Sequence, residues 1–80
     1  MKILVKFFAN YREAVGKSEE EFEAPEGATV RDVVDALAAK YPPLRSMTGA
    51  IFILNQQIVD SSVKLEDGYT LAISPLVGGG

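Results

Sequence analysis

The chain has 80 residues, a net charge of −3 and 48% hydrophobic residues, which is one small domain with enough apolar matter for a single core. It has no Cys and no His, so disulfides, zinc–thiolate sites, thiol nucleophiles and an imidazole base are excluded. Its five Lys and three Arg are scattered, which argues against nucleic-acid binding because phosphate contacts need a basic patch.

Lys2 to Phe8 reads as a strand, with Ile3, Val5 and Phe7 on one face and Leu4, Lys6 and Phe8 on the other. The first set is assigned to the core. Ala9 to Val15 is expected to be a short helical turn or loop closed by Gly16. Ser18 to Ala24 is a second strand in which Phe22 is the main core residue. Its glutamates mark an edge kept wet by charge.

Pro25-Glu26-Gly27 is a turn. Thr29 is then a good N-cap, and Asp32 stands where a capping-box carboxylate can reach back. A helix over about Val30 to Tyr41 follows, with Val30, Val33, Val34, Leu37 and Ala38 forming its apolar stripe. Pro42-Pro43 stops it. Asp32 and Asp35 share a helix face, where acids near an N-terminus meet the macrodipole more readily than a metal.

Leu44 to Ala50 reads as a loop, Ile51 to Leu54 as a strand and Asn55-Gln56-Gln57 as a turn. Ile58-Val59 is a candidate short strand. Val63 and Leu65 are core candidates, and Glu66-Asp67-Gly68 is another turn. Tyr69 to Ser74 is the last strand, with Leu71 and Ile73 inward and Pro75 ending it. Residues 1–75 thus form the domain, and 76–80 are a flexible glycine-rich tail. One main helix on a mixed sheet of four to five strands is an α+β arrangement of the β-grasp (ubiquitin-like) type.

Four segments carry a family resemblance: VKFFANYREAVG (Val5 to Gly16), EGATVRDVVDAL (Glu26 to Leu37), ILNQQIV (Ile53 to Val59) and LEDGYTLAISPLVGGG (Leu65 to Gly80). The chain resembles the small sulfur-carrier subunits of molybdopterin synthase and, more broadly, the ubiquitin-like sulfur carriers. The last segment is the most specific, through Asp67, Gly68, Pro75, Val77, Gly79 and Gly80. Tyr69 stands where the family often has an acidic residue, and Ser74-Pro75-Leu76 where molybdopterin-type carriers often have Phe-Pro-Pro.

The resemblance implies that the chain is not an enzyme on its own. The Gly80 carboxylate would be adenylated by an activating enzyme related to the ubiquitin-activating enzymes, which spends ATP. A sulfur donor would then make it a thiocarboxylate. The large subunit of molybdopterin synthase would receive the tail, in a heterotetramer. No bound cofactor and no metal is expected in the chain itself. Pro75, Leu76, Val77, Gly78 and Gly79 would be the tail's contacts with these partners.

Glycine suits a tail that enters a narrow channel, because it has no side chain to clash. Phe8, Leu4 and Ile58 read either as an apolar docking patch beside the tail or as ordinary packing under the loop at Ala9 to Gly16. Other readings of the same tail are a carrier for thiamine thiazole synthesis or tRNA thiolation, a protein modifier joined to lysines through Gly80, and a binding module with inert glycines. Apolar runs too short to span a bilayer and the lack of a signal-peptide pattern lead to an expected cytoplasmic location, away from membranes.

Overall fold

In the computed structural model, residues 1–46 and 49–75 are described. The elements are β1 (Lys2–Phe7), α1 (Ala9–Val15), β2 (Glu19–Glu23), α2 (Val30–Lys40), a 3₁₀ turn (Pro42–Ser46), β3 (Ala50–Leu54), β4 (Gln57–Val59) and β5 (Thr70–Pro75). The five strands form one sheet in the order β2-β1-β5-β3-β4. Only β1 and β5 run parallel; the other neighbours are antiparallel. This is the mixed sheet with one main helix of the β-grasp fold.

The core follows from alternation. Ile3, Val5 and Phe7 of β1 are buried, as are Leu71 and Ile73 of β5. The register continues the inner rows across the sheet: Val5 beside Leu71 beside Leu54, and Phe7 beside Ile73 beside Phe52. Against these rows α2 lays Val30, Val33 and Leu37, at the i, i+3, i+7 spacing of one helical face. Burying each such side chain contributes roughly 1.5–3 kcal/mol.

α2 starts where its cap predicts. The Thr29 hydroxyl accepts from the Asp32 N–H at 3.3 Å, and the Asp32 carboxylate accepts from the Thr29 N–H at 2.9 Å. The helix ends at Lys40 rather than Tyr41. Tyr41 takes an extended φ of −121° as C-cap, because the proline that follows disfavours the helical conformation. The chain then winds into the 3₁₀ turn at Pro42–Ser46, so the expected loop at Leu44 to Ala50 is structured at both its ends.

Other boundaries also shift. β1 stops at Phe7, because Phe8 already caps α1. α1 is a true helix of two turns, pinned by buried Tyr11 and ended by Gly16, whose left-handed φ of 87° suits glycine. β5 begins at Thr70 and includes Pro75. The β3–β4 connection is a two-residue turn, Asn55-Gln56, with Gln57 already in β4. Both turn residues have positive φ, 48° and 73°, as the twist of a tight hairpin requires.

Phe22 is the apolar residue that β2 packs against the core, half-buried as its edge position allows. Its inward-facing neighbour Glu20 is also covered: the Glu20 side chain is only 8% exposed. Glu20 sits beneath the C-terminal end of α2, where Lys40 (2.8 Å), Lys17 (3.0 Å) and the Tyr41 hydroxyl all donate to its carboxylate. The Lys40 ammonium also stands 5.4 Å from the Tyr41 ring centre, within cation–π range.

Burial pushes the Glu20 carboxyl up, but the hydrogen bonds from Lys40, Tyr41 and Lys17 outweigh it and hold it at about 2, against an ordinary 4.5. A carboxyl lowered on folding stabilises above its unfolded value and loses that contribution as pH falls through its folded one. Glu20→Gln should therefore lower stability by about 1 kcal/mol at neutral pH, a modest figure because both ammonium ends lie in water. Its deficit should shrink as pH drops from 4.5 towards 2. Denaturant unfolding of the two chains across that range checks this; a deficit that does not change with pH would contradict it.

Candidate functional site

Among the described residues, the second face of the sheet carries no helix. Its rows follow from the register: Leu4 beside Thr70; Lys6 beside Ala72 beside Ile53 beside Ile58; and Ser74 beside Ile51. Small residues of β5 (Thr70, Ala72, Ser74) make a shallow middle. Aliphatic Ile51, Ile53 and Ile58 rise on one flank. Leu4, and Phe8 just past the end of β1, rise on the other.

Ile58 is 75% exposed and Phe8 45%, the two large hydrophobic side chains most open to water among the described residues. They do not touch. They lie on β4 and at the end of β1, with β5 and β3 between them, a span of roughly 14 Å at 4.8 Å per strand. Neither packs under the segment at Ala9 to Gly16, because α1 covers the inner side through Tyr11. The pair is thus exposed, at two separate places on the face. Leu4 is half-buried.

Charge frames the apolar centre. Glu19, Glu21 and Glu23 point outward along the β2 edge and are exposed. Glu19 and Glu23 stand opposite Lys6 and Lys2 of β1, so those two carboxylates have a cation across the ladder. Glu21 stands opposite Leu4 and has none in that position. The face thus passes from acidic at one edge to aliphatic near the other.

Pro75 closes β5 at the centre of the sheet. The Phe8 N–H donates to the Ile73 carbonyl at 3.1 Å on one side, and Ala50 is in register with Pro75 on the other. Pro75, the last described residue, thus lies between the Phe8 end of β1 and β3. Leu76, Val77, Gly78, Gly79 and Gly80, the expected tail, lie outside the described residues.

Among the described residues no pocket forms, and no three metal-ligating side chains come together. Asp32 is engaged in its cap, and Asp35 pairs with Arg31 at 3.8 Å on the exposed helix surface. Lys40 is held by Glu20. No helix among these residues is long and apolar enough to cross a membrane.

The ThiS family matches residues 5–80. The chain belongs to the ThiS family. Its relatives include the molybdopterin synthase sulfur carrier subunit of Chlamydomonas reinhardtii, 40% identical over the whole of both chains. The subunit of the same name from Mycobacterium tuberculosis is 38% identical, over all of this chain and 99% of that one. Among solved structures, the putative molybdopterin converting factor subunit 1 of Pyrococcus furiosus superposes with a TM-score of 0.90 at 29% identity, covering 96% of this chain and 99% of its own.

If the outer face is a surface for partners and not part of the core, its exposed anchors should be dispensable for folding. Ile58→Ser and Phe8→Ser should each change stability by less than about 0.5 kcal/mol, the ordinary range for exposed sites. Thermal unfolding decides. A loss of the size seen on emptying a core position, about 2–5 kcal/mol, would place these side chains in the packing.

Proposed function

We propose that this protein is the sulfur-carrier subunit of a molybdopterin synthase, with the Gly80 carboxylate as its working group. The observation that carries the reading is full-length identity of 40% to a subunit of that name, on a fold whose central strand ends at Pro75, five residues before Gly80.

The chemistry asks little of the domain. A carboxylate is a poor electrophile, so a separate adenylating enzyme activates it: a Gly80 oxygen attacks the α-phosphorus of ATP, and pyrophosphate leaves. A hydrosulfide-level sulfur nucleophile then adds to the acyl carbon and expels AMP, leaving a thiocarboxylate. In the synthase, the large subunit receives the tail; the sulfur attacks an electrophilic carbon of the acceptor and displaces an oxygen group from it, which leaves with a proton from the partner's site. Water then cleaves the acyl–sulfur bond and the carboxylate returns. The carrier supplies the reactive end, its reach and its docking, and the catalytic groups belong to the partners.

Reach and grip follow from the parts. Residues 76–80 could extend roughly 17 Å at 3.3–3.6 Å each, enough to enter a buried active site. Leu76 and Val77 would give apolar contact at the channel mouth. Gly78, Gly79 and Gly80 would pass a narrow bore. Phe8 and Ile58 would anchor the domain outside it, with Pro75 setting where the tail leaves. The same face would serve the activating enzyme and the large subunit in turn, one after the other, since both must receive the same carboxylate.

The test uses the purified chain with ATP, sodium sulfide and an adenylating enzyme shown to work on its own carrier. A sulfur-for-oxygen mass gain should appear on the tryptic peptide Leu65–Gly80. That peptide contains no Met, so oxidation to a sulfoxide does not mimic the gain. Deleting Gly79 and Gly80 should abolish it. No gain on that peptide would overturn the carrier reading.

A further inference from the structure

Three non-glycine residues among those described have a left-handed backbone: Ala9 (φ 51°), Asn55 (48°) and Gln56 (73°). The last two make a hairpin turn whose twist demands it. The Asn55 side chain also accepts from the Thr70 N–H at 3.1 Å, which fastens the turn to the start of β5. Ala9 has neither a hairpin to complete nor a side-chain oxygen. Its Cβ crowds the following carbonyl, so the conformation is strained and must be imposed from outside.

Two hydrogen bonds to Phe8 impose it. The Phe8 N–H is the last rung of the β1–β5 ladder, donating to the Ile73 carbonyl at 3.1 Å. The Phe8 carbonyl accepts from the Tyr11 N–H, also at 3.1 Å, in the first turn of α1. Tyr11 in turn is held by burial of its side chain. The chain must therefore pass from strand to helix within one residue, and Ala9 makes that corner. With Phe8 fixed as extended (φ −119°, ψ 151°), its side chain faces away from the core, beside the strand that ends at Pro75.

We infer that Ala9 is a positioning residue: its left-handed backbone presents the Phe8 ring beside the root of the tail, so that a partner gripping Phe8 receives the tail in one register. The inference rests on the docking role given to Phe8 above. Its energetic logic is preorganisation: a ring already aimed costs less ordering on binding than one that must be found. The corner tolerates residues that accept positive φ and excludes β-branched ones, whatever their polarity.

The experiment is a double-mutant cycle read by calorimetric titration with the purified large subunit of molybdopterin synthase from the same organism, with thermal unfolding alongside. Phe8→Ala should weaken binding by about tenfold or more, as loss of an aromatic anchor does. Ala9→Gly and Ala9→Asn accept the left-handed conformation and should bind within about threefold of the parent chain. Ala9→Val should weaken binding about tenfold when Phe8 is present and less than about twofold when Phe8 is Ala, because its effect travels through the ring.

The inference is overturned if Ala9→Val weakens binding equally without Phe8, or if the Gly and Asn variants fold but lose about tenfold. Should Ala9→Val not fold, the Gly and Asn arms decide by themselves. An unchanged affinity in Phe8→Ala alone strikes at the docking reading instead, so the two failures are told apart.

Discussion

The parallel pairing of β1 with β5 governs this molecule. It joins the first strand to the last across the whole length of the chain, with Leu4, Val5, Lys6 and Phe7 beside Thr70, Leu71, Ala72 and Ile73. Neighbouring parallel strands cannot be joined by a tight turn, so everything between them must serve as crossover or flank. α2 covers the inner side of the pair, β2 and β3 extend it on each flank, and the last strand emerges at the centre of the sheet. The domain's most buried rows and the root of its tail are two ends of one ladder.

From that pairing come two unlike faces. The inner one is filled by α2 and closed at the β2 edge by Glu20, an inward-pointing carboxylate made acceptable by three donors. A charge there also blunts an edge strand that would otherwise invite pairing with another chain. The outer face is left to the small side chains of β5 between two raised apolar flanks, with outward carboxylates along β2. β5, the central strand of the sheet, runs through this face and ends at Pro75, the last described residue.

Much of this was legible in the residues. Alternation along Ile3, Val5 and Phe7 identified the core side of β1, and Thr29 with Asp32 announced the start of α2 three residues apart. The edge character of β2 was visible in its run of glutamates. What that run concealed was the difference between Glu20 and its neighbours, because the donors that satisfy Glu20 are contributed in part by Lys40 and Tyr41, about twenty residues away, and only the crossover helix brings them there. Phe22 packs against the core as its apolar character suggested, but only half-buried, because at an edge half of a side chain's surroundings are missing.

The corner at Ala9 was hidden because alanine carries no turn signal. Its conformation is dictated by its neighbours' hydrogen bonds and not by its own preference. The Asn55-Gln56 turn was read at the right place, but its positive φ at Gln56 has no signature in a glutamine. Of the candidate site, Phe8 and Ile58 are exposed, and Leu4, read with them, is half-buried.

If partners read the open face of the sheet and not the helix, a methyl and amide NMR titration of the isotope-labelled chain with the unlabelled large subunit should show it. Shifts or broadening are expected at Phe8, Ile51, Ile53, Ile58 and Ala72, with Arg31, Asp35 and Ala39 on the exposed side of α2 unmoved. A footprint centred on α2, with the Ile58 and Ile53 methyls unchanged at saturation, would contradict it.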